Sequence, residues 1–422
     1  MPPLPDSFGV ADGVLRLDPR DPEFYQDPYP AYGELHRQGG IARWAETGSL
    51  VVADHGTVSA LLRDRRFGRI LPAGLDGRPD YSDKPPHLAD FYAIESRSLL
   101  DLEPPTHTRL RSLVTRAFVS RQIERLAPRI GEIANGLIDR FAADGEVELV
   151  EAFATPLPVR VIAELIGVPA ADAPLLVDWS HRMVAMYQLG RTSAVEASAN
   201  AAARDFAAYL RAVIADKRRR PAEDLVSALI AAESDGGRLD EAEMVATLAL
   251  LLNAGHEATV HQIGNAVKAI LESHREAAGL FSNADSTAVT VEECLRFDTP
   301  LHLFERVAQE PVTLRDGWQL QRGDRIALLL GAANHDPAVF ERPGEFLAGR
   351  AAKPHVSFGG GIHFCIGAPL ARLELAIALE ALFKRLPTLS LAATPQYRDS
   401  WHFRGLERLA LRFQIQGRLL KP

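Results

Sequence analysis

The chain has 422 residues, 47% hydrophobic and 24% charged, which is enough apolar material for a large buried core. A net charge of −8 carries no nucleic-acid footprint, and the one basic cluster, DKRRRP at Asp216–Pro221, reads as a solvated helix end or a weak docking patch. The opening MPPLPDSFGV lacks a signal-peptide pattern, and the longest apolar stretch, MVATLALLLNAG, is too short to span a bilayer.

Two cysteines far apart in sequence, Cys294 and Cys365, suggest a reduced cytoplasmic protein rather than a disulfide scaffold. Length alone suggests several domains, yet no linker, repeat or low-complexity run divides the chain, so one domain over 1–422 is expected.

In chain order, DPYPAYGELHRQG predicts a helix, IARWAETGSLVVAD a hairpin turning near Thr47-Gly48, and TVSALLRDRRF a second helix. From Ile70 to Leu102 the prolines and glycines predict an irregular, functional loop. THTRLRSLVTRAF resumes helical spacing, and long Ala/Leu/Arg-rich helices follow between Ile123 and Arg220. Asp240 with Glu243 three residues on is a capping-box variant, opening a helix apolar nearly all round and therefore central and buried. VTLRDGWQLQRGDRIALLLGAAN alternates like short strands, and APLARLELAIALEALFKRL is a strong helix.

The stretch FGGGIHFCIG, Phe358–Gly367, places Cys365 in a glycine-crowded turn. A lone cysteine is by default a small buried apolar residue. Zinc lacks a second ligand at finger spacing, a nucleophile lacks a visible base, and Phe364 stands where a dinucleotide loop needs its third glycine. Gly359, Gly360 and Gly361 permit left-handed backbone and close approach to something flat, as does Gly367 at the helix start. A thiolate there, stabilised by unpaired helix N–H groups and shielded by Phe358, suits an axial iron ligand.

The whole segment resembles the haem-binding signature of the cytochrome P-450 family: Phe, Gly, any, Gly, any, His, any, Cys, any, Gly. The resemblance implies a mainly α fold with small β-sheets, a triangular helical prism holding haem between the central helix and the helix after Cys365. It implies haem b as cofactor with Cys365 as metal ligand and Phe358, Gly359, Gly361 and Gly367 around it. It assigns His107, Arg111, Arg306 and His355 to the haem propionates, Glu293 and Arg296 (EECLR) to a buried ion pair with Arg350 as third member, and NHDP, Asn334–Pro337, to the meander.

AGHEAT, Ala254–Thr259, resembles the family's oxygen-binding motif, in which Gly255 would let the helix bulge. The family places an acid directly before Thr; here Glu257 precedes Ala258, and Thr259 comes one residue later, about 100° round the helix. That departure implies proton delivery through ordered water or a polar group of the substrate, with His256 expected to pack rather than relay.

Met183, Met186, Leu301, Leu303, Phe304, Trp401 and Phe403 are expected to line an apolar substrate pocket, with His302, His402 and Arg191 orienting a polar group. A hydrophobic terpenoid, steroid or polyketide substrate fits. The implied partner is a ferredoxin with its reductase, docking on a basic face of Arg109, Arg111, Arg116, Lys353 and Arg372, with no membrane and a monomeric, cytoplasmic chain. A peroxide-dependent or rearranging haem-thiolate enzyme and a non-catalytic haem sensor are the alternatives.

Overall fold

Asp240 and Glu243 close a reciprocal cap on the longest helix. In the computed structural model the Glu243 amide donates to the Asp240 carboxylate at 2.7 Å, and the Asp240 amide donates to Glu243 at 3.1 Å. Two helix-start donors are thereby satisfied. The helix then runs Glu241–Glu272, burying Val245, Leu248, Leu252, Ile263, Ala266 and Ile270, the all-round apolar character its sequence carries.

The structure describes residues 4, 7–118, 120–188, 191–232, 237–350 and 354–415. It is mainly helical with small sheets. The described chain separates into two units: residues 1–67, 127–157 and 258–422 in the first, 68–126 and 158–257 in the second.

The first unit holds the sheets. Strand Ile41–Trp44 pairs antiparallel with Leu50–Val52, closing the expected hairpin. Leu50–Val52 pairs parallel with Arg325–Leu329, which pairs antiparallel with Leu303–Ala308. One face buries Leu50, Val52, Ile326 and Leu328 with Val58 and Leu61; the other buries Val51, Ala327 and Leu329 with Phe24, Tyr32 and Trp401. Strand alternation thus feeds two apolar layers. The helix Ala368–Arg385 also belongs here, and its Phe383 stacks on Phe281 at 5.4 Å between centroids.

The second unit is built of helices, among them Thr106–Ala117, Ala173–Val184 and Ser193–Arg219. Trp179 and Phe206 stack at 5.4 Å within it.

Two expectations need correction. The helix predicted through Phe67 spans only His55–Leu61, because the Asp64 carboxylate accepts from the Arg66 amide at 2.9 Å and turns the chain. The irregular stretch Ile70–Leu102 contains a helix, Ala89–Glu95, whose Phe91 and Ile94 share a buried face. Flanking prolines hide that spacing in the sequence. No helix among the described residues is long and apolar enough to cross a membrane.

Candidate active site

Cys365 stands exposed just ahead of the helix Ala368–Arg385, for which Gly367 is the N-cap. Its amide donates to the Phe358 carbonyl at 3.0 Å, closing the glycine-rich turn. Gly359 and Gly361 both take φ of +68°. A Cβ on Gly361 would lie 2.3 Å from the Leu62 carbonyl oxygen, so the loop lies directly on backbone there. Ile362 and Phe364 are exposed beside the sulfur, at 41% and 42%.

An exposed cysteine at a helix N-terminus, with exposed apolar neighbours, fits the thiolate end of a flat apolar metallocycle. Cys294 does not fit, because burial pushes its thiol up and the Glu293 charge adds to the shift.

Behind the loop lies a dense polar network in the same unit. Arg296 bonds both oxygens of Glu293 at 2.8 Å and donates to the carbonyls of Asn334 and Pro343 at 3.0 Å. Arg350 brings its Nε to 3.4 Å from Glu293 and donates to the Glu345 carbonyl at 3.0 Å. Asn334 donates to Ser357 at 2.8 Å and accepts from the Val356 amide at 2.9 Å, tying the meander to the approach to the Cys365 loop.

His355 lies 3.2 Å from Glu292 through Nε2 and accepts from the Ser357 amide through Nδ1 at 3.2 Å. Burial raises the Glu292 carboxyl, but hydrogen bonds from His355 and Arg372 outweigh it and hold the group at about 2. Arg306 is buried, donates to the Glu305 carbonyl at 3.0 Å, and lies 5.9 Å from the Phe304 ring centroid. In the second unit His107 is buried and Arg111 half-buried, one turn apart on Thr106–Ala117.

The motif of Gly255 and Glu257 sits on an uninterrupted α-helix; the bulge expected at Gly255 is not present. A Cβ there would meet the Ile162 side chain at 2.8 Å, so close helix packing accounts for the glycine. Glu257 Oε2 lies 3.2 Å from His181 Nε2 and 3.6 Å from His256 Nε2. His256 Nδ1 lies 2.8 Å from the Leu252 carbonyl, so the residue packs and also faces Glu257. Thr259 is buried at 7% exposure, and Ala258 is half-buried.

A profile described as Cytochrome P450 matches residues 281–397. The polyketide biosynthesis cytochrome P450 PksS of Bacillus subtilis is 36% identical over 405 residues, covering 94% of this chain and 98% of its own. The cytochrome P450 monooxygenase PikC of Streptomyces venezuelae is 36% identical over 412 residues, covering 95% and 94%. Among solved structures, P450BioI in complex with a hexadec-9Z-enoic acid ligated acyl carrier protein matches at TM-score 0.86 and 34% identity, covering 93% of this chain and 100% of that one.

The chain belongs to the cytochrome P450 family. The family's cofactor is haem with a cysteine thiolate ligand, and its reaction here is that of a monooxygenase.

Within this cytochrome P450 several residues expected at the substrate turn out elsewhere. Trp401 is a core residue at 7% exposure, edge-on to Trp44 at 5.9 Å, and its indole donates to Tyr32 at 2.9 Å. His302 is fully buried, 2.8 Å from the same Tyr32 hydroxyl, and burial lowers it to about 3. Both stabilise the sheet layer rather than greet a ligand. Leu301 and Phe403 are joined by an isolated β-bridge, and Leu303 and Phe304 are half-buried on the strand Leu303–Ala308. His402 is half-buried, and burial lowers it to about 4.

Met183 and Met186 are buried in the second unit. Met186 and Arg191 line a cavity of about 120 Å³ there with Tyr81, Phe91, Tyr92, Glu95, Asp101 and Tyr187. Burial, and then the charge of Asp101, pushes the Glu95 carboxyl up to about 8, although the Tyr187 hydroxyl donates to it at 2.7 Å.

The basic docking face is also revised. Arg372 is bound to Glu292, and Arg109 donates to the buried Glu243 and to the Arg238 carbonyl, so neither presents an unopposed charge. Arg116 is exposed, and Lys353 lies outside the described residues.

Sequence reasoning missed Glu292 as the partner shared by His355 and Arg372, and Glu374. Glu374 is 1% exposed on the helix after Cys365, its Oε2 has no hydrogen-bond partner, and burial pushes its carboxyl well up. Nothing local signals it, because LARLELAIALE reads simply as a strong helix.

Proposed function

We propose that this cytochrome P450 oxidises a hydrophobic polyketide-class molecule, with dioxygen and electrons supplied singly by a ferredoxin and its reductase. The observation that carries the reading is the exposed Cys365 at the helix start within the Phe358–Gly367 loop. PksS, named for polyketide biosynthesis, and P450BioI, solved in complex with a hexadec-9Z-enoic acid ligated acyl carrier protein, support a long hydrophobic substrate. When bound, the haem supplies dioxygen activation, driven by electron push from the thiolate.

The chain's own residues hold the group and handle protons. Cys365 is the metal ligand, with Phe358, Gly359, Gly361 and Gly367 shaping its loop. Arg306, His107 and Arg111 are the candidates for the propionates, a task to which a guanidinium fork is suited because it pairs two oxygens. His355 shares that assignment less fully, since Glu292 already holds its Nε2.

Glu257 passes protons inward from the exposed His181. Ala258 offers no hydroxyl, so ordered water or a polar group of the substrate completes the path. Met183, Met186, Leu301, Leu303, Phe304 and Phe403 are the apolar candidates for substrate contact.

The test is spectral and chemical together. The reduced, carbon-monoxide-treated holoprotein should show the thiolate-specific Soret position, and Cys365→Ser should lose it. Product should form with oxygen, ferredoxin and reductase; product from peroxide alone, with none from the electron chain, overturns the reading in favour of a peroxide-dependent enzyme.

A further inference from the structure

We propose that His181, His256 and Glu257 form a binding site for a divalent transition-metal ion of the zinc class, separate from the haem iron. The three side chains all lie in the second unit, His181 on the helix Ala173–Val184 and His256 and Glu257 on the part of Glu241–Glu272 that belongs to that unit. Among the described residues they are the one group of three or more such side chains whose ligand atoms converge, all within 4.8 Å of one another.

The spacing suits the ion. Zinc binds nitrogen and oxygen at about 2.0–2.2 Å in a tetrahedron, which sets ligand atoms roughly 3.3–3.5 Å apart. The distance from Glu257 Oε2 to His181 Nε2 is 3.2 Å, and to His256 Nε2 it is 3.6 Å. Two of the three edges therefore stand near their final length. The remaining edge, between the two histidines, closes by a side-chain movement of His181, which is 48% exposed at the end of its helix.

The chemistry suits it as well. Two imidazoles and one carboxylate form a borderline-soft set that selects zinc, nickel or copper over magnesium or calcium, which take oxygen ligands. His256 is already oriented for the task. Its Nδ1 lies 2.8 Å from the Leu252 carbonyl, and a proton donated there makes Nε2, 3.6 Å from Glu257 Oε2, the ligand nitrogen. The buried His256 is the fixed ligand, and the exposed His181 gives the ion a way in from solvent. Three protein ligands leave a fourth position for water.

Occupancy has a consequence that rests on the function proposed above. An ion on Glu257 and His181 ties up both groups assigned to proton supply, so it makes the site inhibitory.

The experiment titrates zinc chloride into tag-free, chelator-washed holoenzyme by isothermal calorimetry. One saturable site per chain is expected, with haem absorbance unchanged. His181→Ala, a substitution at an exposed position, should weaken binding at least tenfold, and Glu257→Gln should do the same while keeping the fold. No saturable binding, or equal affinity in His181→Ala, overturns the site.

A second arm measures substrate turnover with and without saturating zinc. A fall of tenfold or more, reversed by chelator, supports both the site and its inhibitory effect. If zinc binds through these residues and turnover stays level, the site stands and the assignment of Glu257 to proton supply falls.

Discussion

Arg372 holds Glu292 with two nitrogens, Nε at 2.6 Å from one carboxylate oxygen and Nη2 at 3.0 Å from the other. The same guanidinium lies 4.6 Å from the centroid of the Phe358 ring, so the pair braces the first residue of the Cys365 loop. Burial works against the carboxylate, but His355 and Arg372 hold Glu292 at about 2, below the ordinary value of 4.5. A depressed acid stabilises the fold fully above its unfolded pKa and loses that contribution as pH falls through the folded one. Glu292→Gln should therefore cost about 0.5–1 kcal/mol at pH 7, a figure kept small because the Glu292 side chain is 45% exposed. Between about pH 4.5 and 2 the wild-type and variant stabilities should converge, as read by urea denaturation at a series of pH values. A gap that stays constant over this range would show that the charge is not what Glu292 contributes.

Gly361 and Gly359 share a φ of +68° but not a neighbour. A methyl at Gly361 meets the Leu62 backbone oxygen at 2.3 Å, which cannot withdraw; at Gly359 it meets the Phe304 ring at 3.0 Å, which can turn. Gly361→Ala should lose most bound haem on purification, while Gly359→Ala should keep most of it and pay only the left-handed backbone cost of about 1–2 kcal/mol. Haem content per chain and thermal unfolding check the order. Equal loss in both variants would mean that backbone angle alone, not the Leu62 contact, governs the loop.

The contrast marks what was legible in the sequence. The Cys365 loop, the Asp240–Glu243 cap and the central helix are local patterns, written in consecutive residues or at helical spacing. The reach of His181 to Glu257 and of Arg372 to Glu292 joins distant segments, and no local period announces it. Trp401 and His302 misled for a related reason. Aromatic and polar residues in short irregular stretches look like pocket lining, and only the sheet layer formed with Tyr32 and Trp44 shows them to be core. The helix runs unbroken through Gly255, and the missing Cβ there is answered by the packing of Ile162.

Glu95 gives a pH effect of opposite sense at the basic end. Burial and the Asp101 charge push its carboxyl up to about 8. A raised acid leaves stability intact below its unfolded pKa near 4.5 and removes it as pH rises through the folded value. Glu95→Gln should be nearly neutral at pH 5 and more stable than wild type at pH 9, by the order of a few kcal/mol. Chemical denaturation at the two pH values measures the difference. A variant less stable at both would indicate that the Tyr187 hydrogen bond, and not the titration, sets the role of Glu95.

Ala258 leaves the position after Glu257 without a hydroxyl, and the nearest threonine in sequence, Thr259, is turned about 100° round the helix and buried. If water or the substrate supplies the last proton, a substrate with no polar group near the reacting carbon should couple electrons poorly to product. Ala258→Thr should raise its product per electron severalfold, since a positioned acid contributes about 10²–10⁴-fold to proton transfer and only part of that is missing. For a substrate with a hydroxyl near that carbon the same substitution should change the yield little. Product and electron consumption, measured together on the paired substrates, decide it. An unchanged yield on the apolar substrate would mean that the substrate's own polar group does not stand in for the missing hydroxyl.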